Sequence, residues 1–149
     1  MDEINKSNRF TLTHGALLSS INNGIDRTIK PVVQIILCHP IDKPEIEESR
    51  GRYKLMISDG THYMPCVTHQ RMCIYFINGT LKKNAVIELE EYTVQQLNDA
   101  ERTYCLGLIE ATALEHGYTQ IGEPKNIMRE LSVKVSVTAS LKTDVNVNV

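Results

Sequence analysis

The fold is decided by residues 52–60, RYKLMISDG, whose pattern is that of a strand ending in a tight turn. Apolar or aromatic side chains recur at alternate positions, Tyr53, Leu55 and Ile57. Successive side chains of a strand point to opposite faces, so these three form an inner face, and Arg52, Lys54, Met56 and Ser58 form an outer face that contains two basic residues. Asp59-Gly60 is a strong hairpin signal because glycine adopts positive φ at no steric cost. The stretch predicts an antiparallel hairpin with an apolar inside and a basic outside.

Two further strands flank this one. The β-branched run VVQIILC at residues 32–38 is apolar on both faces, which predicts a strand with a barrel interior on one side and a covering helix on the other. The return strand of the hairpin runs from His62 to Thr68, where Pro65 restricts it to an edge or a bulge because proline has no N–H to donate.

Residues 85–94 and 103–114 predict the last two strands. In the first of them the apolar face changes side near Glu90-Glu91, which predicts a bulge. In the second, Gly107 permits a close approach or a bend. The irregular apolar segment 69–82 is expected to form a helical connection that caps the barrel.

A helix precedes the strands. Thr13 is its predicted N-cap, with Leu12 and Leu17 as a hydrophobic staple, and Asn22-Asn23-Gly24 is its stop signal. The chain is accordingly divided into a flexible lead, one domain, and a linker or appended segment, at residues 1–11, 12–124 and 125–149.

Composition excludes several classes of protein. The chain has 149 residues, 42% hydrophobic and 23% charged, which is typical of one globular domain. A net charge of −2 argues against holding nucleic acid through bulk positive charge. No apolar run has the length of a membrane span and no signal peptide is visible, which predicts a cytosolic or nuclear protein with no membrane partner. The cysteines are read as buried thiols in a reducing compartment: Cys38, Cys66, Cys73 and Cys105.

Four stretches, taken in order, resemble the N-terminal domain of the replication protein A large subunit: residues 12–24, IKPVVQ at 29–34, RYKLMISDG at 52–60 and IGEP at 121–124. The likeness runs over residues 12–124. It implies an all-β, five-stranded OB-fold barrel with an N-terminal helix and a short capping helix between strands three and four. It also implies a nuclear protein of DNA replication, repair or telomere maintenance.

The resemblance further implies a function without catalysis or cofactor. The family domain is an adaptor whose basic outer cleft docks acidic or amphipathic segments of other proteins, with weak affinity for single-stranded DNA at most. Other replication protein A-like subunits would be contacted through regions not in this chain. Carried over residue by residue, the basic cleft falls on His39, Arg52, Lys54 and Arg102, and Arg50, in the loop before the second strand, completes the predicted partner-binding cleft.

Two positions depart from the family pattern, since Asn98 and Glu101 stand where the family has cations. The departure leaves two identities open, replication protein A itself or a specialised paralogue similar to the large subunit of telomerase-associated replication protein A-like complexes. The alternative function, from another class, is a single-stranded nucleic-acid-binding OB domain in its own right.

Three other residue sets have competing interpretations. The sets are a possible zinc site, His62, Cys66, His69 and Cys73; a group of carboxylates, Glu88, Glu90, Glu91 and Glu110; and a group of aromatics, Tyr53, Tyr63, Tyr75, Phe76 and Tyr92. In the first set, strand geometry sends the two histidines to opposite faces, and the family domain has no metal. No nucleophile accompanies the carboxylates, which are typical of a solvated strand face, and most of the aromatics are expected in the core. The sequence therefore predicts no metal and no catalytic residue among these sets.

Overall fold

The structure, a computed structural model, describes residues 10–41, 51–97 and 103–131. Helix α1 (Ala16–Asn23) leads into β1 (Val32–Pro40), followed by the hairpin strands β2 (Tyr53–Ser58) and β3 (His62–Thr68). A 3-10 turn (Gln70–Met72) and the short helix α2 (Cys73–Ile77) connect to β4 (Val86–Gln96), β5 (Tyr104–Glu115) and β6 (Lys125–Asn126). No helix among these residues is long and apolar enough to span a membrane.

The first five strands close into a barrel in the order β1, β2, β3, β5, β4. The pairs β1–β2, β2–β3, β4–β5 and β1–β4 are antiparallel. The barrel is closed by parallel pairing of Cys66–Thr68 in β3 with Leu106–Leu108 in β5. The predicted OB-type barrel, with an N-terminal helix and a capping helix between the third and fourth strands, is confirmed. Closure leaves no long unpaired edge among the five strands.

The barrel interior is filled by the apolar residues of the alternating strands. In β2, Leu55 and Ile57 are fully buried while Lys54 is exposed, as the predicted alternation requires, but Ser58, which was expected on the outer face, is also fully buried. Met72 closes one end from the 3-10 turn, and Leu17 of α1 is also buried. Burying each side chain of this size contributes about 1.5–3 kcal/mol before the entropy of ordering the chain is subtracted.

Two local irregularities predicted from the sequence are confirmed. The register between β4 and β5 shifts on both sides of Glu91, which is the expected bulge, and it turns Tyr92 into the core. A Cβ added to Gly107 would lie 2.7 Å from Thr93 Oγ1, so the two strands approach too closely there for a side chain. Pro65 pairs with Met56 of β2 on one side, and on its other side it lies between the residues of β3 that pair with β6 and those that pair with β5, where no described strand pairs with it.

The predicted N-cap is wrong. Helix α1 begins after Gly15, whose φ is 83° and which has no side chain that could cap the helix. Thr13 Oγ1 accepts a hydrogen bond from the N–H of Val32 instead, at 2.8 Å, so it joins the segment before the helix to the start of β1. The apolar residues expected to form a staple, Leu12 and Leu17, are both buried.

The prediction that a helix covers the outer face of β1 is also wrong at Gln34. This fully buried side chain donates to the carbonyl oxygens of Asn84 (3.1 Å) and Thr119 (2.8 Å). Its Oε1 accepts from the N–H of Ile121 at 2.8 Å. The outer face of β1 is therefore covered here by the segment that follows β5, which a buried amide fixes through backbone hydrogen bonds.

Residues 125–131 pack on the barrel. Strand β6 pairs in parallel with His62 and Tyr63, and residues 127–131 are helical, with Ile127 and Leu131 buried. These residues belong to the segment expected to be a linker or an appended segment. The rest of that segment and residues 1–9 of the expected lead lie outside the described residues, so the domain boundaries stay a prediction.

The Asp59 carboxylate connects the hairpin turn to α1. It is fully buried, its Oδ2 accepts from the N–H of Leu17 at 3.0 Å, and its Oδ1 accepts from the N–H groups of Thr61 and His62, both at 2.9 Å. Three backbone donors, which come from two elements, thus share one acceptor group. Hydrogen bonds to a charged acceptor are stronger than neutral ones, and donors left buried without a partner are costly.

We expect the substitution Asp59→Ala to lower the free energy of unfolding by about 3 kcal/mol or more, because three N–H groups lose their acceptor. The measurement is urea denaturation followed by circular dichroism. Asp26→Ala is the matched control, since the Asp26 carboxylate accepts from the backbone and hydroxyl of Thr28 on an exposed loop. That control should lose about 0.5 kcal/mol or less. Equal losses in the two variants would contradict the role given to Asp59.

Candidate functional site

The outer face of the barrel carries a row of three neighbouring side chains from successive strands. His39 of β1 is the direct cross-strand partner of Lys54 in β2, and Lys54 is in turn the partner of Val67 in β3. Directly opposed side chains have Cβ atoms about 4.5–5.5 Å apart. His39 and Lys54 are both exposed. The structure therefore brings together two of the residues that the sequence assigned to a partner-binding cleft.

This row continues toward the start of β5. Burial raises the pKa of the Cys105 thiol, while a hydrogen bond from the Val67 backbone and the charge of the Lys54 ammonium act in the opposite direction. The Lys54 ammonium is therefore close enough to the start of β5 to act electrostatically on Cys105. On that side Val67 pairs with Gly107, which has no side chain. The half-buried Val67 is thus an apolar neighbour of the row, whereas the Thr93 hydroxyl lies over Gly107, since a Cβ there would be 2.7 Å from Thr93 Oγ1. The sequence interpretation did not identify Val67, although the alternation of β3 places it outward.

Arg52 has a different environment from Lys54. It precedes β2, and its carbonyl oxygen accepts from the N–H of Ile41 at 3.0 Å, which joins the two ends of the loop between β1 and β2. Its side chain was expected to face water, but it is half-buried, and Nε is buried without a hydrogen-bond partner in the described part of the chain. A guanidinium has five N–H donors, so Arg52 retains donors for an anionic acceptor.

The cations of this face differ from the others in their charge balance. Lys30 Nζ lies 2.7 Å from Glu90 Oε1, and Arg71 Nη1 lies 3.8 Å from Glu91 Oε1. Within residues 10–41, 51–97 and 103–131, no ion pair involves His39, Arg52 or Lys54. We refer to these three basic residues, of which Arg52 and Lys54 carry the formal positive charges, as the cation row; Val67 is not part of it. In a chain of net charge −2, the row forms a local surface without compensating carboxylates among the described residues.

The remaining residues of the predicted cleft, Arg50 and Arg102, lie outside the described residues, as do Asn98 and Glu101. Arg102 precedes β5 by two positions in the sequence, and Arg50 precedes Arg52 by two. The complete cleft therefore stays a prediction.

The four residues with zinc-like spacing have separate environments. Cys66 is fully buried in the core, whereas His69 is exposed and its Nδ1 accepts from the N–H of Arg71. His62 is buried and its Nε2 contacts the carboxylate of Glu130. Across the described part of the chain, no three His, Cys, Asp or Glu residues are grouped as metal ligands would be.

The carboxylates of β4 form a surface ion cluster. A hydrogen bond with Glu90 raises the pKa of Glu88, while hydrogen bonds from Lys30 and then Thr112 lower the pKa of Glu90. Two carboxyl groups with pKa values shifted apart are typical of acid–base pairs in enzymes. Here they lie on an open strand face where Lys30 neutralises the pair. The cluster is explained by surface electrostatics.

Several aromatic side chains that could stack nucleic-acid bases are used inside the protein. The rings of Tyr53 and Phe76 stack on each other with centroids 4.2 Å apart and an interplanar angle of 13°. This contact packs α2 against β2. Tyr92 is buried in the core, whereas Tyr53, Tyr75 and Phe76 are half-buried and pack against the core. The prediction that most of these aromatic residues belong to the core is therefore confirmed for Tyr92 only.

Comparisons with known proteins support one family. Residues 12–114 match the family model described as the N-terminal domain of replication factor-A protein 1. No curated protein matches the chain. Among solved structures, the chain is similar to a putative aspartyl-tRNA synthetase from Leishmania major Friedlin, with 9% identity and a TM-score of 0.44 over 60% of this chain and 18% of that chain. The chain thus spans less than a fifth of that chain's length, and a TM-score below 0.5 does not establish a shared fold.

We expect the purified chain to hold no stoichiometric zinc. Zinc binds thiolates, and burial raises the pKa of the Cys66 thiol well above its usual value, which disfavours the thiolate. The measurement is elemental analysis of protein purified without chelators, with the thermal midpoint recorded before and after addition of a chelator. One equivalent of zinc together with unfolding on chelation would overturn this expectation.

Proposed function

Since the chain belongs to the family of the N-terminal domain of replication factor-A protein 1, we propose that this OB module is a non-enzymatic protein-interaction domain of a replication protein A-like complex. It docks acidic or amphipathic segments of other proteins in the outer cleft that contains the cation row. It works in the nucleus, in replication, repair or telomere maintenance. Other subunits of the complex are contacted through regions not in this chain.

The observation that carries the proposal is the cation row itself. His39 and Lys54 face each other across β1 and β2, and neither has an ion-pair partner among the described residues. A carboxylate-rich partner would supply the missing counter-charges, and complementary charge speeds association and fixes orientation. The adjacent, half-buried Val67 adds apolar surface. Charge beside an apolar side chain favours a segment that is both acidic and amphipathic.

The same observations favour a peptide over single-stranded DNA. OB domains that hold single strands combine a basic groove with aromatic platforms. Here Tyr53 and Phe76 stack on each other and Tyr92 is buried, so these rings are not presented to bases. The net charge of −2 also limits the counterion release that drives binding to phosphates.

We expect Lys54→Glu to weaken binding of a synthetic acidic amphipathic peptide by roughly fivefold, because an attraction becomes a repulsion at an exposed site. Isothermal titration calorimetry measures the affinity, and the difference should shrink as salt is added. The matched control is Arg27→Glu, which reverses an exposed cation in the loop before β1, at the other end of that strand from His39. Both variants should keep the thermal midpoint of the natural chain. Equal loss in both would mean that net charge, not the cation row, attracts the peptide.

Binding to mixed-sequence single-stranded DNA at physiological salt is expected to be weak, with a Kd in the high micromolar range or weaker. The reason is the small number of clustered cations and presented aromatic rings. Fluorescence anisotropy with a labelled oligonucleotide measures this affinity at several salt concentrations. Submicromolar binding with a steep salt dependence would replace the adaptor function with the alternative, a single-stranded DNA-binding domain.

A further inference from the structure

Residues 125–131, which follow the barrel strands, form an arm that lies against β3. Strand β6 at its start pairs in parallel with His62 and Tyr63, and the N–H of Lys125 donates to the carbonyl oxygen of Thr61 at 3.0 Å. The remaining residues of the arm are helical. The arm lies beyond residue 114, where the match to the family model ends. Its attachment to the barrel is therefore a property of this chain that membership of the family does not supply.

The arm supplies apolar side chains to the interior of the barrel. Ile127 is fully buried and belongs to the main core, and Leu131 is 7% exposed. Protein interiors are close-packed, so removal of these side chains would leave a hole in the core. We call Thr61, His62 and Tyr63, together with the apolar site that holds Ile127 and Leu131, the socket. The socket is complete only when an arm fills it.

The socket also requires a carboxylate. His62 is 6% exposed, and its Nε2 contacts the carboxylate of Glu130 in the arm. Its Nδ1 is buried and has no hydrogen-bond partner among the described residues. Without the arm, neither nitrogen of the His62 ring would have a partner in the described part of the chain. Buried polar groups without partners are costly, so an empty socket is disfavoured and an arm that leaves must be replaced.

A short hinge, residues 122–124, connects the arm to the barrel. Before the hinge, the N–H of Ile121 donates to the buried Gln34 side chain at 2.8 Å, and after it Lys125 begins β6. Gly122 turns the chain between these two anchors with a φ of 71°. Residues with a Cβ are strained at positive φ, whereas glycine is not. Closure of the arm onto its own barrel therefore depends on the turn at Gly122.

The contacts between arm and socket do not depend on which copy of the chain supplies the arm. The pairing of β6, the burial of Ile127 and Leu131, and the contact of Glu130 with His62 all lie beyond the hinge. The arm of another copy can make the same contacts, and then only the hinge changes its conformation. Short hinges under strain favour such an exchange. The arm of a second copy is thus a partner that already fits the socket.

We propose that the socket is an interaction site for the arm of a second copy of this chain, and that two copies exchange arms to form a symmetric dimer. In the dimer, Ile127 and Glu130 of each copy complete the socket of the other copy. Closure within one copy is favoured in dilute solution, because the hinge keeps the arm at a high effective concentration. Exchange is favoured by high protein concentration and by strain at Gly122. The inference goes beyond the proposed function and does not depend on it.

The test is a disulfide that can form only between two copies. Tyr63 and Asn126 are direct partners in the pairing of β3 with β6, at a strand spacing that a disulfide can bridge. The whole chain with Tyr63→Cys is mixed with a tagged chain with Asn126→Cys, and both are refolded together from urea and oxidised with glutathione disulfide. We expect a crosslinked heterodimer in which mass spectrometry finds positions 63 and 126 joined. The matched control replaces Asn126→Cys by Asn126→Ser, which reports any crosslink through the natural cysteines.

Hinge variants give a second readout. Gly122→Val should raise the association constant of the dimer by roughly tenfold or more, because the strain of a left-handed valine is relieved when the hinge opens. Size-exclusion chromatography with light scattering measures the dimer fraction. Gly79→Val is the matched control, since Gly79 also has a positive φ, 79°, but lies in the loop after α2. If Gly122→Val loses its circular dichroism signal, Gly122→Ala serves instead.

Each outcome decides the inference. The heterodimer crosslink between positions 63 and 126, together with a larger dimer fraction for Gly122→Val than for Gly79→Val, supports the exchange of arms. Refolded proteins that give no such crosslink overturn it. A dimer without that crosslink identifies another contact between copies and also overturns it, as do equal dimer fractions in the two hinge-test variants. Peptide binding at the cation row is measured separately, so failure of the exchange leaves the proposed function intact.

Discussion

The buried carboxylate of Asp59 is the constraint on which the outer face depends. It accepts hydrogen bonds from the hairpin that follows β2 and from the first turn of α1, and so fixes where β2 ends. The register of β2 then decides which of its side chains face outward. A slip of one residue would exchange Lys54 and Met56 for Leu55 and Ile57, which would place a cation in the core. The position of the cation row therefore follows from this one capped turn.

A five-stranded barrel has no room for a ligand inside. Its interior is filled by the side chains of the core, among them Ile35, Leu55 and Leu106, each fully buried. Binding must then use the outer face, where shape comes from local departures from regular strands. The absence of a side chain at Gly107 lets Thr93 Oγ1 approach β5 closely, and the bulge before Leu37 turns an apolar side chain outward. Both irregularities change the shape of the outer face.

The distribution of charge matters more than its sum. The net charge of −2 predicts little attraction for an acidic partner, but two carboxylates of β4, Glu90 and Glu91, are paired with Lys30 and Arg71. The cation row has no such compensation among the described residues. An approaching anion is therefore attracted locally, within the Debye length of about 8 Å that applies at physiological salt. Composition determines the sign of the net charge of the whole chain, and the fold determines the sign of the charge on each face.

The sequence by itself determined the features whose signals are local. Alternation in residues 52–60, the change of apolar face at Glu90-Glu91 and the lone Gly107 each predicted the observed strand, bulge and close approach. Tertiary structure alone decided that Asp59 accepts a hydrogen bond from the N–H of Leu17, 42 positions earlier. It alone also decided that Gln34 forms hydrogen bonds with Thr119 and Ile121, more than 80 positions later. It also decided that Leu37 faces water. These outcomes depend on strand register and on buried polar groups finding partners far along the chain, and neither leaves a periodic signal in the residues themselves.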